Sequence, residues 1–420
     1  MRAAVFGSFP NLVQWYNLYV YATFAPYFRT EFFDASDSGS LVYVYAIFAL
    51  TFVMRPFGSW LFGRLADRRG RRFALVAAVL LMSAGSLALA LSPTAGTVGA
   101  WAAVILLVVG LVQGVATGGE YGVSAVYLSE TATAGRRGFF SSFQAATIVG
   151  GQVLAQAVLL VLLTLGDRAD VSAWGWRAAF ALGAVGGLAT LWWAHRRGDA
   201  APRRAAASAT LRDLLRRRPR QLLWVILMTA GGTAAFYTDT VTLPTISRAA
   251  AGASGGPAAE QAATAVVLGA LVLLMVLQPI GGALSDRIGP KPLLVFFGVG
   301  GLLTTGAAIL LTPVLAAPAA LFALLAAVFT VLTGYLSVNT VAKTEAFPAD
   351  LRALGVGFGY AVANSLFGGT APMIYHASAG SPWVFPTYVT VLIAVSLAAY
   401  LAMPRRSRVA ATARAASTSG

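Results

Sequence analysis

The sequence predicts an all-α membrane protein with twelve transmembrane helices in two six-helix halves and with both termini in the cytoplasm. Three observations support this prediction. Of the 420 residues, 58% are hydrophobic and only 11% are charged, so there are too few polar side chains to cover a soluble globule. The apolar residues form twelve long segments, and most basic residues lie in alternate loops between those segments.

Each apolar segment is long enough to cross a bilayer, because a hydrocarbon core of about 30 Å needs roughly 20 residues of helix. We number the segments as spans 1 to 12. They lie near residues 6–28, 41–63, 73–93, 98–129, 139–165, 176–195, 221–247, 260–284, 292–312, 317–344, 353–377 and 383–403. The first segment is too long for the apolar core of a signal peptide and leads into further spans, so we interpret it as span 1.

The basic residues predict the orientation of the spans. The loops after spans 2, 4, 6, 8 and 10 and the two termini carry most of them, whereas the opposite loops carry only Arg29, Arg168, Arg177 and Arg248. Membrane proteins concentrate lysine and arginine on the cytoplasmic side, which places both termini there. The net charge of +15 therefore reflects topology, and we expect no nucleic-acid partner.

A segment with the composition of a linker divides the spans into six and six. We predict an N-terminal half over residues 1–196, a cytoplasmic linker over 197–220, a C-terminal half over 221–404 and a cytoplasmic tail over 405–420. Three pairs of features recur in the same order in both halves: Gly63–Arg72 and Gly282–Lys291, Glu130 with Arg137 and Glu345 with Arg352, and Tyr19 with Pro26 and Tyr237 with Pro244. Such repeats are typical of transporters that bind substrate between their halves near the bilayer midplane.

Several functional classes lack the residues that they need. The sequence has no cysteine and only two histidines, His195 and His376, which lie at span ends. This excludes a disulfide framework, a thiolate or histidine-rich metal site and a Ser-His-Asp site. The absence of a P-loop excludes an ATP-driven pump in a single chain. We therefore expect neither enzymatic activity nor a cofactor or metal. A membrane sensor or receptor is the alternative from another class, although we find no attached signalling domain.

The turn Gly63–Arg72 and several further motifs resemble a known family. The turn is similar to the signature of the major facilitator superfamily. Within it, Asn11–Tyr21, Met54–Pro56, Gly118–Gly122 and Arg352–Gly357 resemble the metabolite:proton symporters, in particular bacterial alpha-ketoglutarate permeases. The resemblance implies a multi-pass transporter of the bacterial inner membrane that moves a small carboxylate by proton symport with alternating access. Its implied partners are the substrate, protons and the lipid bilayer, and we expect a monomer.

The chain departs from that family at charged positions inside the membrane. Where relatives typically carry a glutamate and an aspartate in span 1, this chain has Gln14 and Asn17, and where they carry an arginine in span 4 it has Gly110. It also gains an acid in span 7, Asp239. Ionisable groups in the bilayer core are costly unless they are paired or hydrated, so these exchanges bear on substrate and coupling. A proton-independent facilitator or exporter of a different small polar solute is therefore the alternative.

Charged residues at the cytoplasmic ends of the spans are predicted to form a gate. By resemblance, Asp67 would pair with Arg137 and hold the cytoplasmic side closed. Asp286 would pair with Arg352 as a weaker copy of this latch in the second half. The predicted gating residues are Asp67, Arg68, Arg71, Glu130, Arg137, Asp286, Glu345 and Arg352.

Two acidic residues within the spans are candidates for proton coupling. Glu120 stands about 15 Å along the helix from the cytoplasmic end of span 4, which places it near the midplane. Asp239 lies about 27 Å along span 7 from Arg220, in the outer half of the membrane. The alternative interpretation of Asp239 is a residue at the helix end that meets water when the carrier opens outward.

Polar residues at mid-depth are candidates for substrate binding. Arg55 lies about 13 Å deeper along its helix than Arg64, so it either lines a cavity or belongs to a structural ion pair, and the nearby Gly58 predicts close helix packing. Lys343 is a further candidate, or it belongs to the gate with Glu345. The predicted substrate-binding residues are Gln14, Tyr16, Asn17, Tyr19, Arg55, Tyr121, Gln144, Gln152, Tyr237, Asn339 and Asn364, whose side chains can hydrogen-bond small polar metabolites.

Overall fold

The computed structural model describes residues 9–34, 37, 39–130, 136–196, 211–315, 317–348 and 351–403. Every regular element within these residues is helical. The predicted tail over 405–420 lies outside them, as does most of the predicted linker. The described end of the linker forms a helix over Leu211–Arg217, and its Leu214 is buried in an apolar cluster with Leu222 and Phe347 of the C-terminal half.

Six spans make up the N-terminal half. Their helices are Phe9–Phe32 for span 1, Ser40–Val53 followed by Arg55–Arg69 for span 2, Arg71–Ala90 for span 3, Trp101–Glu130 for span 4, Arg137–Leu165 for span 5 and Trp176–Arg196 for span 6. Short helices over Ala95–Val98 and Arg168–Asp170 precede spans 4 and 6. Span 2 is interrupted immediately before Arg55, where Pro56 occupies the first turn of the new helix and cannot donate a backbone hydrogen bond.

The C-terminal half follows the same order. Span 7 combines the helix Pro219–Tyr237, a π-helical turn over Thr238–Thr242 and the first part of the helical stretch Leu243–Ile288, which kinks at Gly256 and continues as span 8. Span 9 is Pro290–Leu311, and span 10 is Pro318–Leu336 with Asn339–Glu345. Span 11 is Arg352–Ala363, a π-helical turn over Asn364–Gly368 and Ala371–Ala377, and span 12 is Val384–Leu401.

The helices have the length and surface of membrane spans. Within the described residues, seven helical stretches are long and apolar enough to cross a bilayer, and one of them, Pro219–Ile288, contains both span 7 and span 8. Spans 1, 3, 6 and 11 are not among these stretches, although span 3 contains a shorter apolar helix over Val76–Ala90. Large apolar side chains such as Leu165, Leu303 and Trp192 lie exposed on the outside of the bundle, where lipid covers them.

The turns after spans 2 and 8 have the same backbone conformation. Gly70 has a φ of 91° and a ψ of 151°, and Gly289 has a φ of 86° and a ψ of 164°. A Cβ atom at either position would meet nothing within 4 Å, so glycine is needed there for its positive φ and not for space. This agreement supports the internal repeat predicted from the sequence.

Glycines allow close approach of backbones in two places. Between spans 2 and 4, a Cβ at Gly58 would lie 2.0 Å from the carbonyl oxygen of Val115, and one at Gly118 would lie 2.1 Å from that of Arg55. The close packing predicted at Gly58 is therefore confirmed. Between the halves, a Cβ at Gly138 of span 5 would lie 2.4 Å from the carbonyl oxygen of Gly282 of span 8.

Two glycines of the same helix provide a matched test of this packing. We expect Gly58→Ala to lower the apparent Tm in detergent by about 1–3 °C, because overpacking against a backbone atom costs about 1–3 kcal/mol. Gly63→Ala should leave Tm unchanged or raise it slightly, since a Cβ at Gly63 meets nothing within 4 Å and alanine favours the helix. Equal Tm values for the two variants would contradict the close contact between spans 2 and 4.

Candidate functional site

Two cavities lie between the halves, and both are lined by Tyr360 of span 11. The larger has a volume of about 20 Å³ and is lined by Gln144, Ala145, Ile148, Val149, Thr233, Phe236, Tyr335, Leu336, Asn339, Thr340 and Tyr360. The smaller has a volume of about 10 Å³ and is lined by Trp15, Arg55, Ser59, Thr117, Gly118, Gly357, Tyr360 and Ala361. None of these lining residues is acidic. The cavities therefore form a polar and aromatic site that both halves share.

Arg55 is a buried cation in the smaller cavity. Its side chain is 3% exposed, and its guanidinium carbon lies 3.6 Å from the centroid of the Phe52 ring and 5.8 Å from that of Trp15. Its Nε and Nη2 atoms make no hydrogen bond, and it forms no ion pair with a described residue. Of the two roles considered for Arg55, the structure supports the first, because Arg55 lines a cavity.

Two tyrosines face the same region from opposite halves. Tyr19 of span 1 and Tyr237 of span 7 are fully buried, and both interact electrostatically with Arg55 and with each other. The two hydroxyls lie close enough to interact with each other, and that of Tyr237 with Arg55, although neither makes a hydrogen bond of good geometry. Buried polar groups are almost always well hydrogen-bonded in native structures, so these three side chains are candidates to bind a ligand.

Lys343 is a second buried cation at the site, on the side of the C-terminal half. It is fully buried, and its Nζ lies 2.9 Å from Asn339 Oδ1 and 3.5 Å from the Tyr335 hydroxyl. It also lies 4.4 Å from the centroid of the Tyr360 ring. The Tyr360 ring next to Lys343 lines both cavities, including the one that Arg55 lines, and the two cations come from different halves.

Three of the predicted amide residues lie at or beside the larger cavity. Gln144 lines it, and its Oε1 accepts a hydrogen bond from the Thr340 hydroxyl at 3.3 Å. Asn339 lines it next to Lys343. Asn364 lies behind the wall, where its Oδ1 accepts a hydrogen bond at 2.6 Å from the hydroxyl of Thr233, another lining residue.

Three polar residues of span 1 that were predicted to bind substrate, Gln14, Tyr16 and Asn17, lie outside both cavities. Gln14 Nε2 donates to the carbonyl of Ala116 in span 4, and the Tyr16 hydroxyl donates to that of Ala179 in span 6. Asn17 Nδ2 donates to the carbonyls of Val13 and Gly183. All three thus join spans within the N-terminal half, and none lines either cavity in this conformation. Their contact with substrate stays a prediction.

Gln152 contacts the other half at Thr240, the residue that follows Asp239. Gln152 Nε2 of span 5 donates to the backbone carbonyl of Thr240. The neighbouring Asp239 is 1% exposed, its Oδ1 makes no hydrogen bond, and it forms no ion pair with a described residue. Its position in the π-helical turn Thr238–Thr242 is notable, since such turns occur frequently at functional sites. In this conformation Asp239 does not meet water.

Some predicted residues cannot be placed. The backbones of Asp67, Arg71, Glu120, Tyr121 and Glu130 are helical, but their side chains lie outside the described part of the structure. The predicted roles of these five residues remain predictions.

Asp286 makes a different contact from the one predicted. Its Oδ1 accepts a hydrogen bond from the backbone N–H of Gly138 at 2.7 Å and its Oδ2 accepts one from that of Phe139 at 3.0 Å. The expected pairing with Arg352 is wrong, since Arg352 Nε donates to the carbonyl of Thr344 instead. A carboxylate suits the first turn of span 5, because the unsatisfied N–H groups and the helix dipole favour negative charge there. Asp286 thus joins the halves at the cytoplasmic end.

We expect Asp286→Asn to loosen the cytoplasmic end, because the amide replaces a charge-assisted pair of hydrogen bonds with a weaker contact. A single cysteine introduced at Ser141, which is buried near this contact, should react several-fold faster with a thiol reagent added from the cytoplasmic side. Arg287→Gln, in the same turn but exposed, is the control and should leave the rate unchanged. Equal rates in both variants would show that Asp286 does not hold this end closed.

The outer ends of the halves also contact each other. Glu260 of span 8 accepts hydrogen bonds from the Tyr27 hydroxyl at 2.6 Å and from Arg168. The ring of Tyr45 in span 2 stacks on that of His376 in span 11, with the ring centroids 5.2 Å apart. In the described structure the halves therefore meet at both ends, and the cavities lie between these two sets of contacts.

Comparisons with known proteins agree with this architecture. The model of the Major Facilitator Superfamily matches residues 5–372. The chain is 38% identical to the alpha-ketoglutarate permease of Escherichia coli strain K12, with 97% of this chain and 94% of that protein covered. It is 30% identical to the citrate-proton symporter of Klebsiella pneumoniae, with 95% and 91% covered.

The fold also matches a solved transporter structure. The partially occluded inward-open xylose transporter XylE from E. coli aligns with a TM-score of 0.71 at 20% identity, and the alignment covers 96% of this chain and 99% of that chain. This likeness concerns the fold alone. The proteins similar in sequence are transporters, which indicates a transport role and not an enzymatic one for this integral membrane protein. The chain belongs to the major facilitator superfamily, as its turn motif and twelve spans predicted.

Proposed function

We propose that this protein imports a small dicarboxylate of the alpha-ketoglutarate type together with protons, by alternating access. The observation that carries the proposal is a pair of buried cations from different halves: Arg55 lines the smaller cavity, and Lys343 lies against the Tyr360 ring, which lines both cavities. The names of the alpha-ketoglutarate permease and the citrate-proton symporter support the same substrate class and the same driving ion.

The two cations suit a substrate with two carboxylates. Arg55 can bind one carboxylate through the Nε and Nη2 donors that lack partners, because a guanidinium and a carboxylate match in a planar, bidentate geometry. Lys343 contacts the second carboxylate as a compact positive charge. Asn339 and Gln144 offer hydrogen bonds to the remaining oxygen atoms. The substrate thereby joins a cation of one half to a cation of the other.

This arrangement explains why substrate would favour the closed conformation. A dianion between Arg55 and Lys343 is attracted to both cations at once. A ligand shifts a conformational equilibrium only through its different affinity for the two states. A dianion meets both cations only when the halves are together, so its binding stabilises the closed state.

The proton is assigned to Asp239 on two observations. The carboxyl is buried next to Thr240, whose carbonyl contacts Gln152 of the other half, and no described cation pairs with it. A carboxylate in such a place is costly, so Asp239 would bind a proton when the halves close and release it when water reaches the site. Glu120 is the second candidate because of its predicted depth in span 4.

We propose the bacterial inner membrane as the location and the monomer as the working state, in line with the bacterial relatives. The internal repeat supports the monomer, because a single chain supplies both halves of the site. Transport by reconstituted protein at a concentration at which chains do not associate would support the monomer.

Uptake by proteoliposomes tests the proposed function. With an inward proton gradient we expect labelled alpha-ketoglutarate to accumulate above equilibrium, and the accumulation should vanish when the gradient is collapsed. The monocarboxylate of the same chain length is the matched control and should be taken up about 100-fold less efficiently, since one charge-assisted contact is worth about 1.5–3 kcal/mol. Equilibration without accumulation would favour a facilitator. Uptake of amino compounds in place of carboxylates would contradict the substrate class.

A further inference from the structure

A carboxylate of one half occupies a site formed by the other half at the outer side of the protein. The Glu260 side chain is only 3% exposed. It accepts hydrogen bonds from the Tyr27 hydroxyl and from Arg168 Nη1. Tyr27 belongs to span 1 and Arg168 to the loop before span 6, so both partners lie in the N-terminal half, whereas Glu260 belongs to span 8 of the C-terminal half.

The two N-terminal residues have the chemistry of a carboxylate-binding site. The Arg168 guanidinium carbon lies 4.9 Å from the centroid of the Tyr27 ring, and an arginine stacked on an aromatic ring is held in place while its N–H groups remain available to an anion. The Tyr27 side chain is 1% exposed, so its hydroxyl is fixed by packing. Arg168 is 48% exposed and can be reached from outside.

Arg248 adds a second cation beside this site. It is 3% exposed and interacts electrostatically with Tyr27. Its Nη1 is buried without a hydrogen bond, and its Nη2 makes only a long contact, 3.5 Å, with the Thr245 hydroxyl. Buried N–H groups of this kind are normally satisfied. Arg248 thus lies near Tyr27, which donates to Glu260, and its positive charge favours an anion in this region.

We propose that Tyr27 and Arg168 form an outer binding site for a substrate carboxylate, which Glu260 occupies while the outer side is closed. When the halves separate at this end, Glu260 leaves with the C-terminal half. Tyr27 and Arg168 then lie at the entrance without their counter-ion. A dicarboxylate arriving from outside binds there before it reaches Arg55 and Lys343. The identity of the anion rests on the proposed function, whereas the site itself rests on the contacts of Tyr27, Arg168 and Glu260.

Two variants of the same ion pair separate this proposal from a purely structural latch. Arg168→Gln and Glu260→Gln both break the pair, so a latch predicts the same change in uptake for both. The binding site predicts opposite changes. In right-side-out proteoliposomes, Arg168→Gln should raise the KM for external dicarboxylate about fivefold or more, because it removes the cation. Glu260→Gln should lower that KM about twofold to fivefold, because it removes the competing carboxylate. A change in the same direction would overturn the proposal.

A second measurement needs no transported substrate. The chain contains no cysteine, and Ala169 is exposed next to Arg168, so Ala169→Cys gives a single reactive thiol beside the site. We expect the ratio of its reaction rates with an anionic and a cationic thiosulfonate reagent to rise in Glu260→Gln and to fall in Arg168→Gln. A ratio that neither variant changes would overturn the outer site. If the ratio shifts as expected while dicarboxylates are not transported, the outer site stands and the proposed substrate class fails.

Discussion

Arg55→Gln is expected to reduce kcat/KM for dicarboxylate uptake about 100-fold or more, and Lys343→Gln is expected to do the same. Either variant leaves one substrate carboxylate buried without its cation. Truncating one partner of a buried, hydrogen-bonded charge pair typically costs about 2–5 kcal/mol, and each 1.4 kcal/mol is about tenfold. Initial uptake rates of labelled alpha-ketoglutarate by proteoliposomes would measure the loss.

The same helix supplies the control for Arg55. Arg64 is exposed, and its guanidinium carbon lies 4.4 Å from the centroid of the Trp60 ring. Arg64→Gln therefore changes the net charge by the same amount without touching the cavities, and its uptake should match the wild type. The specificity of Arg55→Gln gives a second readout. The variant should lose far less activity toward the monocarboxylate of equal chain length. Equal losses for both substrates would indicate a structural defect instead.

Asp239→Asn is expected to abolish accumulation of substrate above equilibrium while sparing counterflow exchange. Asparagine keeps the size and hydrogen-bonding capacity of the protonated carboxyl but cannot release a proton. The carrier would therefore still close around substrate but would no longer draw on the proton gradient. Comparing gradient-driven uptake with exchange between loaded vesicles and external label separates the two functions.

Asp170→Asn is the control for Asp239, because Asp170 is an exposed acid in the loop before span 6 and lines neither cavity. Its gradient-driven uptake should be normal. If Asp239→Asn still concentrates substrate, the proton site lies elsewhere, and Glu120→Gln becomes the next variant to test. Loss of both accumulation and exchange would assign Asp239 to substrate binding or folding instead of proton coupling.

The sequence predicts much of the fold because the bilayer makes strict demands on composition. Twelve apolar segments and the sided distribution of arginine are strong signals, and the structure follows them span by span. Arg55 could be recognised for the same reason, since a single charge within an apolar helix is conspicuous and costly. The glycine contacts of span 2 were foreseeable as well, because small residues mark close packing between membrane helices.

The position of Lys343 could not be predicted from its depth along a straight helix. Span 10 ends its first helix at Leu336 and resumes at Asn339, and Lys343 lies in the second piece, with Nζ beside Asn339 and Tyr335. Its closeness in sequence to Glu345 suggested the cytoplasmic gate. The lysine was visible in the sequence, but no sequence pattern showed that the break lets it contact Tyr360.

The amides of span 1 show a second limit of prediction from sequence. Periodicity predicts which residues share a face of a helix, and Gln14 and Asn17 do share one. It cannot show whether that face meets the partner half or a neighbouring span. Here the carbonyl of Gly183 in span 6 accepts from Asn17 at 3.3 Å, and this contact depends on a tertiary arrangement that local sequence does not encode.

The glycine contact between spans 5 and 8 also bears on how easily the halves can part. Gly138 and Gly282 meet backbone to backbone, so their separation exposes little apolar side-chain area, and area is what makes an interface costly to open, at about 25 cal/mol per Å². The contact therefore sets the spacing of the two halves at this end and adds little to the cost of parting them. That cost comes from other contacts between the halves, such as the aromatic pairs Tyr19 with Phe236 and Phe52 with Tyr237.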